Sequence, residues 1–240
     1  MKAVILAGGK ATRLLPFSTF IPKALMPIGE MPILEVLLRQ LRRAGVDEVV
    51  IAVGHLSSML DGFFKDGRAL GLKISYSLET KPLGTAGPLS LIDHLDDTFV
   101  VSNGDVLTDL DPSTLIQAHL ASGAAATIAV HCRCVQVDLG VVQMNSSNEI
   151  VDYLEKPSFN YQASMGIYVF EPRVLRYIPH DQYFDFPDLV RRLMDAGERI
   201  NGFSYTGYWQ DLGCPSDYEQ AVKDFENLRD SILGPDGCGN

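Results

Sequence analysis

Short apolar runs bounded by turn residues alternate with stretches that carry apolar side chains at helical spacing. No other feature of this 240-residue chain constrains its fold as much. Residues 2–7 and 48–53 read as buried strands, and between them residues 33–44 place apolar side chains at helical spacing and stop at Gly45. The rhythm continues with a predicted helix over 56–64, a strand over 73–78, a helix over about 85–94 and an apolar strand over 98–102. Asp111-Pro112-Ser113 then opens another helix, because Ser and Pro suit a first turn. Strands separated by helices need crossover connections, so the sheet is predicted to be mostly parallel, with helices on both faces.

After Gly123 the pattern changes. Residues 124–131, 139–143, 149–154 and 166–170 read as strands with only short turns between several of them, so this half of the sheet is expected to be mixed or partly antiparallel. A helix over 186–196, a strand over 199–205 and a helix over 215–228 complete one α/β domain spanning residues 1–230. Residues 231–240, rich in glycine and without apolar periodicity, are predicted to form a flexible tail.

The charge distribution excludes a general nucleic-acid binder. The chain carries 20 Lys and Arg against 30 Asp and Glu, a net charge of -10. Yet residues 1–43 hold seven Lys and Arg against two Asp and Glu, a local +5 on an acidic body. No apolar run approaches the length of a membrane span, and the apolar stretch at the N-terminus is too short for a secretory segment. A cytoplasmic chain with no membrane partner is expected. The four cysteines (Cys132, Cys134, Cys214, Cys238) show no CxxC spacing and read as structural thiols.

The strongest local signal is Leu6-Ala7-Gly8-Gly9-Lys10-Ala11-Thr12-Arg13, directly after the first strand. Paired glycines let a backbone approach a ligand closely and aim N–H groups at it, a nest for an anion at the carboxyl end of a parallel strand. Pro16 and Pro22-Lys23 follow, stiffening a loop that carries Arg13 and Lys23, and these two cations suit a polyphosphate. Neither the G-x-x-x-x-G-K-[ST] nor the G-x-G-x-x-G spacing is present.

From Leu6 through Arg13 and Pro16 to Pro22-Lys23-Ala24-Leu25, the chain resembles the signature of the sugar-1-phosphate nucleotidyltransferases. The motifs as a whole are nearest to those of GDP-mannose-pyrophosphorylase-like guanylyltransferases. The resemblance extends over about residues 1–226. It implies a Rossmann-like, GT-A-like fold, with a nucleotide-binding part over about 1–110 and a sugar-phosphate part over about 111–230. It also implies transfer of a nucleoside monophosphate to a sugar 1-phosphate with release of pyrophosphate. Leu6, Ala7, Gly8, Gly9, Thr12, Arg13 and Lys23 match the family's triphosphate site.

By the same resemblance, Glu79-Thr80-Lys81-Pro82-Leu83-Gly84-Thr85 is the nucleobase loop, with Glu79, Pro82, Gly84 and Thr85 as contacts. In relatives that use uracil or thymine the position of Glu79 is commonly glutamine. A carboxylate can only accept hydrogen bonds, and guanine presents adjacent N1–H and N2–H donors, so GTP is the expected donor substrate, with adenine and uracil left open. Asn103, Gly104 and Asp105 lie just past a buried strand, and Asp211 comes late in the chain. Mg²⁺ takes a few hard oxygen ligands and completes its shell with phosphate and water, and in the resembling family the positions of Asp105 and Asp211 hold it. Arg13, Lys23 and Asp105 are then the catalytic set. Gly140, Glu155, Lys156, Ser164 and Gly166 match the sugar-phosphate lobe, although Ser164-Met165-Gly166 stands where many relatives have Asn-Ala-Gly.

The reaction implied is in-line attack on the α-phosphorus, which needs positioning and charge neutralisation more than a protein nucleophile. Two alternatives use other features. Asp109-Leu110-Asp111 has the metal spacing of nucleotide-sugar-dependent glycosyltransferases, although Asp111 also suits a helix cap, and a non-catalytic nucleotide-sugar-binding homologue would keep the fold. Chains of the resembling family often form homo-oligomers.

Overall fold

The structure, a computed structural model, describes residues 1–9, 21–54 and 57–234. In chain order its elements begin with β1 (Lys2–Leu6), β2 (Pro27–Ile28), β3 (Met31–Pro32), α1 (Ile33–Arg43), β4 (Glu48–Val53), α2 (Ser57–Phe64), β5 (Lys73–Leu78), β6 (Phe99–Asn103), β7 (Val106–Thr108) and α3 (Pro112–Ser122). There follow β8 (Ala126–Gln136), β9 (Val141–Met144), β10 (Ile150–Leu154), β11 (Ser158–Phe170), α4 (Phe186–Asp195), β12 (Ile200–Tyr205), β13 (Trp209–Asp211) and α5 (Pro215–Leu233).

Seven strands form one sheet in the order β12-β8-β11-β6-β1-β4-β5. Its pairings are parallel except around β11, which runs antiparallel to both β6 and β8. The mostly parallel, mixed α/β sheet expected from the alternation is therefore what the chain forms. Strand periodicity sends successive side chains to opposite faces. Ala3, Ile5, Val100, Ile167 and Val169 go to one face, packed with Leu34, Leu38 and Leu41 of α1 and Leu115 of α3. Val4, Phe99, Val101, Tyr168 and Phe170 go to the other, packed with Phe186, Leu189 and Leu193 of α4. A third cluster joins α5 to α1 and β7 through Phe225, Ile33 and Leu107. Inside it Gln40, 2% exposed, donates to the carbonyls of Thr108 at 2.7 Å and Ile232 at 3.0 Å, tying β7 and the end of α5 to α1.

Several sequence expectations need correction. The helix expected over 85–94 is only a short 3₁₀ turn, Gly87–Leu91. Its approach is held instead by another segment, since the N–H groups of Ala86 and Gly87 both donate to the Phe184 carbonyl at 2.9 Å. β11 begins at Ser158 rather than near 166, and β8 runs on to Gln136. These extensions are mostly exposed, and residues 158–163 of β11 alternate polar side chains (Ser158, Asn160, Gln162) with Phe159, Tyr161 and Ala163, a strand pattern that the longer apolar runs obscured. β7 and β13, three residues each, are too short for periodicity to mark them. α5 reaches Leu233, beyond the expected 228. Cys132 and Cys134 are exposed free thiols on β8 and take no part in a core, and Cys238 lies outside the described residues. No described helix is long and apolar enough to cross a membrane.

At the end of the sheet where β6 begins, one buried polar cluster joins four elements. His119 of α3, 1% exposed, lies 2.8 Å from the Thr127 hydroxyl through Nδ1 and 3.1 Å from Glu171 through Nε2, and Thr98 donates to the same carboxylate at 2.8 Å. Burial pushes the His119 imidazole below its ordinary value, with the Glu171 carboxylate pulling the other way and Arg173 adding to the depression. The fold thus favours the neutral ring. That contribution is intact above pH about 6.5 and is lost as pH falls through it, because the unfolded chain then binds the proton more readily. Thermal melts at pH of about 7.5 and 5.5 are expected to show a larger drop in Tm for the wild type than for His119→Gln.

Candidate active site

The carboxyl ends of β1, β4, β5 and β6 open into a cleft of about 690 Å³. In open parallel sheets this edge is where ligands bind. One wall is Leu6-Ala7-Gly8-Gly9, which leaves β1 with the Ala7 N–H still bonded to the Ala52 carbonyl at 2.9 Å. Gly8 lies directly against the Glu79 carboxylate, so any Cβ there would displace that side chain. Arg13 and Thr12, together with Lys10, Ala11 and Pro16 of the same signature, lie outside the described residues.

A second wall is the loop Glu79–Thr85, which meets the first where Glu79 touches Gly8. Glu79 follows β5, its N–H bonded to the Val53 carbonyl at 2.8 Å, and its Oε2 accepts from the Leu83 N–H at 3.3 Å. Burial pushes this carboxyl above its ordinary value, opposed by the Leu83 N–H. Gly84 turns the loop with φ of +77°, and a Cβ there would come within 2.7 Å of both the Phe184 carbonyl and Asp185 Oδ1.

The third side carries the charges. Pro22 leads into a single 3₁₀ turn, Lys23–Leu25, from which Lys23 reaches into the cleft, its side chain 13% exposed. Lys23 Nζ is ion-paired with Asp105 Oδ2 and stands 3.8 Å from Asp211 Oδ1. Asp105 sits in the tight connection between β6 and β7, where Gly104 donates to the Leu6 carbonyl at 3.0 Å and lies against Ile5. Asp211 arrives from more than a hundred residues away because β13 pairs antiparallel with β7, which sets Asp211 opposite Val106. The Leu212 N–H closes the junction on the Asp105 carbonyl at 3.3 Å.

Two carboxylates within reach of one cation, Asp105 in the cleft lining and Asp211 beside it, suit a hard divalent ion. Among the described residues no group of three or more His, Cys, Asp or Glu is arranged for a metal, so an ion held by Asp105 and Asp211 would take its remaining oxygens from phosphate and water.

The motif Asp109-Leu110-Asp111 has other work. Asp109 accepts from the Tyr205 hydroxyl at 2.6 Å, and Asp111 caps α3 by accepting from the Ser113 N–H at 2.9 Å. Neither lines the cleft.

The structure places none of the expected sugar-phosphate set among the residues that line the cleft, although Gly166 touches Asn103, which does. A bulge between Ser164 and Tyr168 puts Gly166 at φ of +74° against the Asn103 side chain, with its N–H 3.3 Å from the Ser164 hydroxyl. Gly140, Glu155 and Lys156 lie instead on the separate β9–β10 arm, and none of the three lines the cleft. There Gly140 packs against Tyr153, whose hydroxyl donates to Glu155 at 3.3 Å. Sequence reasoning missed Lys81, Tyr183 and Asp185, which also line the cleft. Asp185-Phe186-Pro187 marks only a helix start, and nothing local shows that the Asp185 side chain turns away from its own helix.

A cleft at the carboxyl ends of parallel strands, walled by a glycine turn and carrying Lys23 and Asp105, is the ligand-site arrangement of a Rossmann-like open sheet. The chain belongs to the nucleotidyl transferase family, whose model matches residues 2–227. It is similar to the UTP–glucose-1-phosphate uridylyltransferase of Synechocystis sp., with 38% identity over 93% of this chain and 63% of that protein. It is also similar to the mannose-1-phosphate guanylyltransferase of Mycobacterium tuberculosis, with 33% identity over 92% of this chain and 64% of that protein. The chain therefore spans a little under two thirds of the length of these curated relatives. Among solved structures, HddC from Yersinia pseudotuberculosis complexed with GMP-PN superposes with a TM-score of 0.69 at 25% identity, covering 93% of this chain and 99% of that one.

Gly84 tests the geometry of the loop. A side chain at this left-handed position meets both backbone strain and the Phe184 carbonyl, so Gly84→Ala is expected to lower stability by about 2 kcal/mol in urea titrations.

Proposed function

We propose that the protein is a cytoplasmic enzyme that transfers the nucleoside monophosphate of a nucleoside triphosphate, preferentially GTP, to a sugar 1-phosphate with release of pyrophosphate and with Mg²⁺ as cofactor. The observation that carries this is the convergence of Lys23, Asp105 and Asp211 beside a cleft that the half-buried Glu79 also lines. Phosphates then lie along Gly8 and Gly9, where backbone N–H groups and Lys23 neutralise their charge, with Arg13 and Thr12 of the same loop joining them. Asn103 and Gly104 border the nucleotide at the end of β6.

An oxygen of the sugar phosphate attacks the α-phosphorus in line as the bond to pyrophosphate breaks, so the chain's task is alignment and charge neutralisation. A divalent ion on Asp105 and Asp211 would supply Lewis-acid stabilisation of the charge on the phosphate oxygens. Lys156 meets the sugar phosphate, Glu155 accepts from sugar hydroxyls, Gly140 offers its backbone, and Ser164 and Gly166 border the sugar near Asn103.

The preference for guanine rests on Glu79. Among the described residues its carboxylate accepts one hydrogen bond, from Leu83, while burial disfavours its charge. Two N–H donors on a guanine edge return the solvation that burial removed, and a pyrimidine carbonyl in the same place would repel it. Pro82, Gly84 and Thr85 shape the same base pocket. The uridylyltransferase of Synechocystis favours a second reading in which UTP is the donor.

Pyrophosphate release measured for GTP, UTP, ATP and dTTP against mannose, glucose and other sugar 1-phosphates separates the two. GTP is expected to give the highest kcat/KM, and Glu79→Gln is expected to lower the GTP to UTP preference about tenfold or more. An unchanged ratio would remove the guanine assignment. Asp105→Asn is expected to lower kcat about a hundredfold in the same assay, with the metal requirement altered.

A further inference from the structure

The stretch 181–186 is a strap laid along the base loop, and its bonds cross about a hundred residues of sequence. Phe184 donates its N–H to the Leu83 carbonyl and accepts from Ala86 and Gly87, each at 2.9 Å. Lys81 pairs with Asp181 at 2.8 Å. Phe184 itself is buried beneath the Arg192 guanidinium, which lies 4.6 Å from its ring centroid. Tyr183, the neighbour whose side chain points the opposite way, is 64% exposed and lines the cleft. It is the one aromatic side chain among the described lining residues.

An exposed tyrosine would ordinarily sample several rotamers, and this one is tethered. Its hydroxyl donates to Asp185 Oδ2 at 2.7 Å. The other carboxylate oxygen accepts from both the N–H and the hydroxyl of Thr85, at 2.9 and 3.0 Å, and the Thr85 hydroxyl in turn accepts from the Phe186 N–H at 2.9 Å. Asp185 occupies the capping position of α4 yet makes no side-chain cap bond there. Its carboxylate serves the cleft instead of its own helix, fixing the base loop with one oxygen and the tyrosine ring with the other. Hydrogen bonding to it keeps the Asp185 carboxyl below its ordinary value despite partial burial, so the tether holds its charge at neutral pH.

We propose that Tyr183 is a stacking contact for the face of the nucleobase, with Asp185 as the positioning residue that holds the ring. Glu79 reads the edge of the base, and Tyr183 covers its face. Aromatic stacking accepts any base, and its strength grows with ring area, so this contact favours a purine independently of Glu79. The assignment deepens the proposed function and rests on a nucleotide filling this cleft.

Steady-state kinetics on the full chain, with GTP and UTP each varied at saturating sugar 1-phosphate, and calorimetric titration with GTP, test it. Tyr183→Ala, at an exposed position with little at stake for folding, is expected to raise KM and Kd for GTP about tenfold, with a smaller rise for UTP, and to leave kcat within about twofold. Tyr183→Trp is expected to retain near wild-type KM. Asp185→Asn is expected to raise KM for GTP by a smaller factor, and a ring already removed by Tyr183→Ala should make that substitution cost less. Unchanged KM and Kd in Tyr183→Ala, alongside wild-type turnover and a clear loss in Glu79→Ala, would overturn the stacking contact while leaving the nucleotidyl-transfer reading in place. A wild-type protein that neither binds GTP or UTP nor releases pyrophosphate from any pairing would overturn that reading and the contact with it. A KM rise equal for GTP and UTP, not rescued by Trp, would mark Tyr183 as a support for the loop and overturn its role as a base contact.

Discussion

β1 is hydrogen-bonded on both edges, to β4 on one side and β6 on the other, and Ala3, Val4 and Ile5 are shut off from solvent on both faces. A strand held in this way cannot shift register without moving apolar side chains from one core to the other. Everything at the cleft is referred to its carboxyl end. The glycine turn begins where β1 stops, Gly104 is bonded back to Leu6, and Glu79 comes to rest against Gly8. The close approach explains why glycine is needed there. Gly8 makes room for the Glu79 carboxylate.

The second organising constraint is the return of the late chain to the early chain. β13 pairs with β7, and this three-residue contact sets Asp211 beside Asp105 and Lys23. Residues 181–186 return to the base loop in the same manner, through backbone bonds to Leu83, Ala86 and Gly87. Both ends of the cleft are therefore closed by segments from the second half of the chain. Forming such contacts carries the entropy of a long loop, and the buried clusters around Phe186 and Phe225 offset it.

Electrostatics follow the same division. The chain has a net charge of -10, and the local +5 of residues 1–43 includes Lys23, which the fold delivers between two aspartates. One lysine between two carboxylates leaves a net charge of about -1 there, which a divalent cation would reverse. Glu79 is partly buried with a single described donor, and gains from hydrogen bonds that a ligand brings.

The order of β1, α1, β4, α2, β5 and β6 was legible from apolar periodicity, because parallel strands buried on both faces read as continuous apolar runs and α1 as a helical stripe ending at Gly45, whereas the short β2, β3 and β7 were not. The glycine turn, Lys23 and the cap at Asp111 were legible for a similar reason, since each acts through its own neighbours in sequence. The base loop could be located but not its conformation, because the helix expected over 85–94 gives way to a loop paired with Phe184. The pairing that carries Asp211 to Asp105 and the tether from Asp185 to Thr85 and Tyr183 left no local trace. Periodicity reports which face of an element is buried, so the sequence alone determined the layers and the position of the glycine turn at the end of β1. Which distant side chains meet across the cleft depends on strand order and on contacts between residues a hundred apart, and those only the tertiary structure decided.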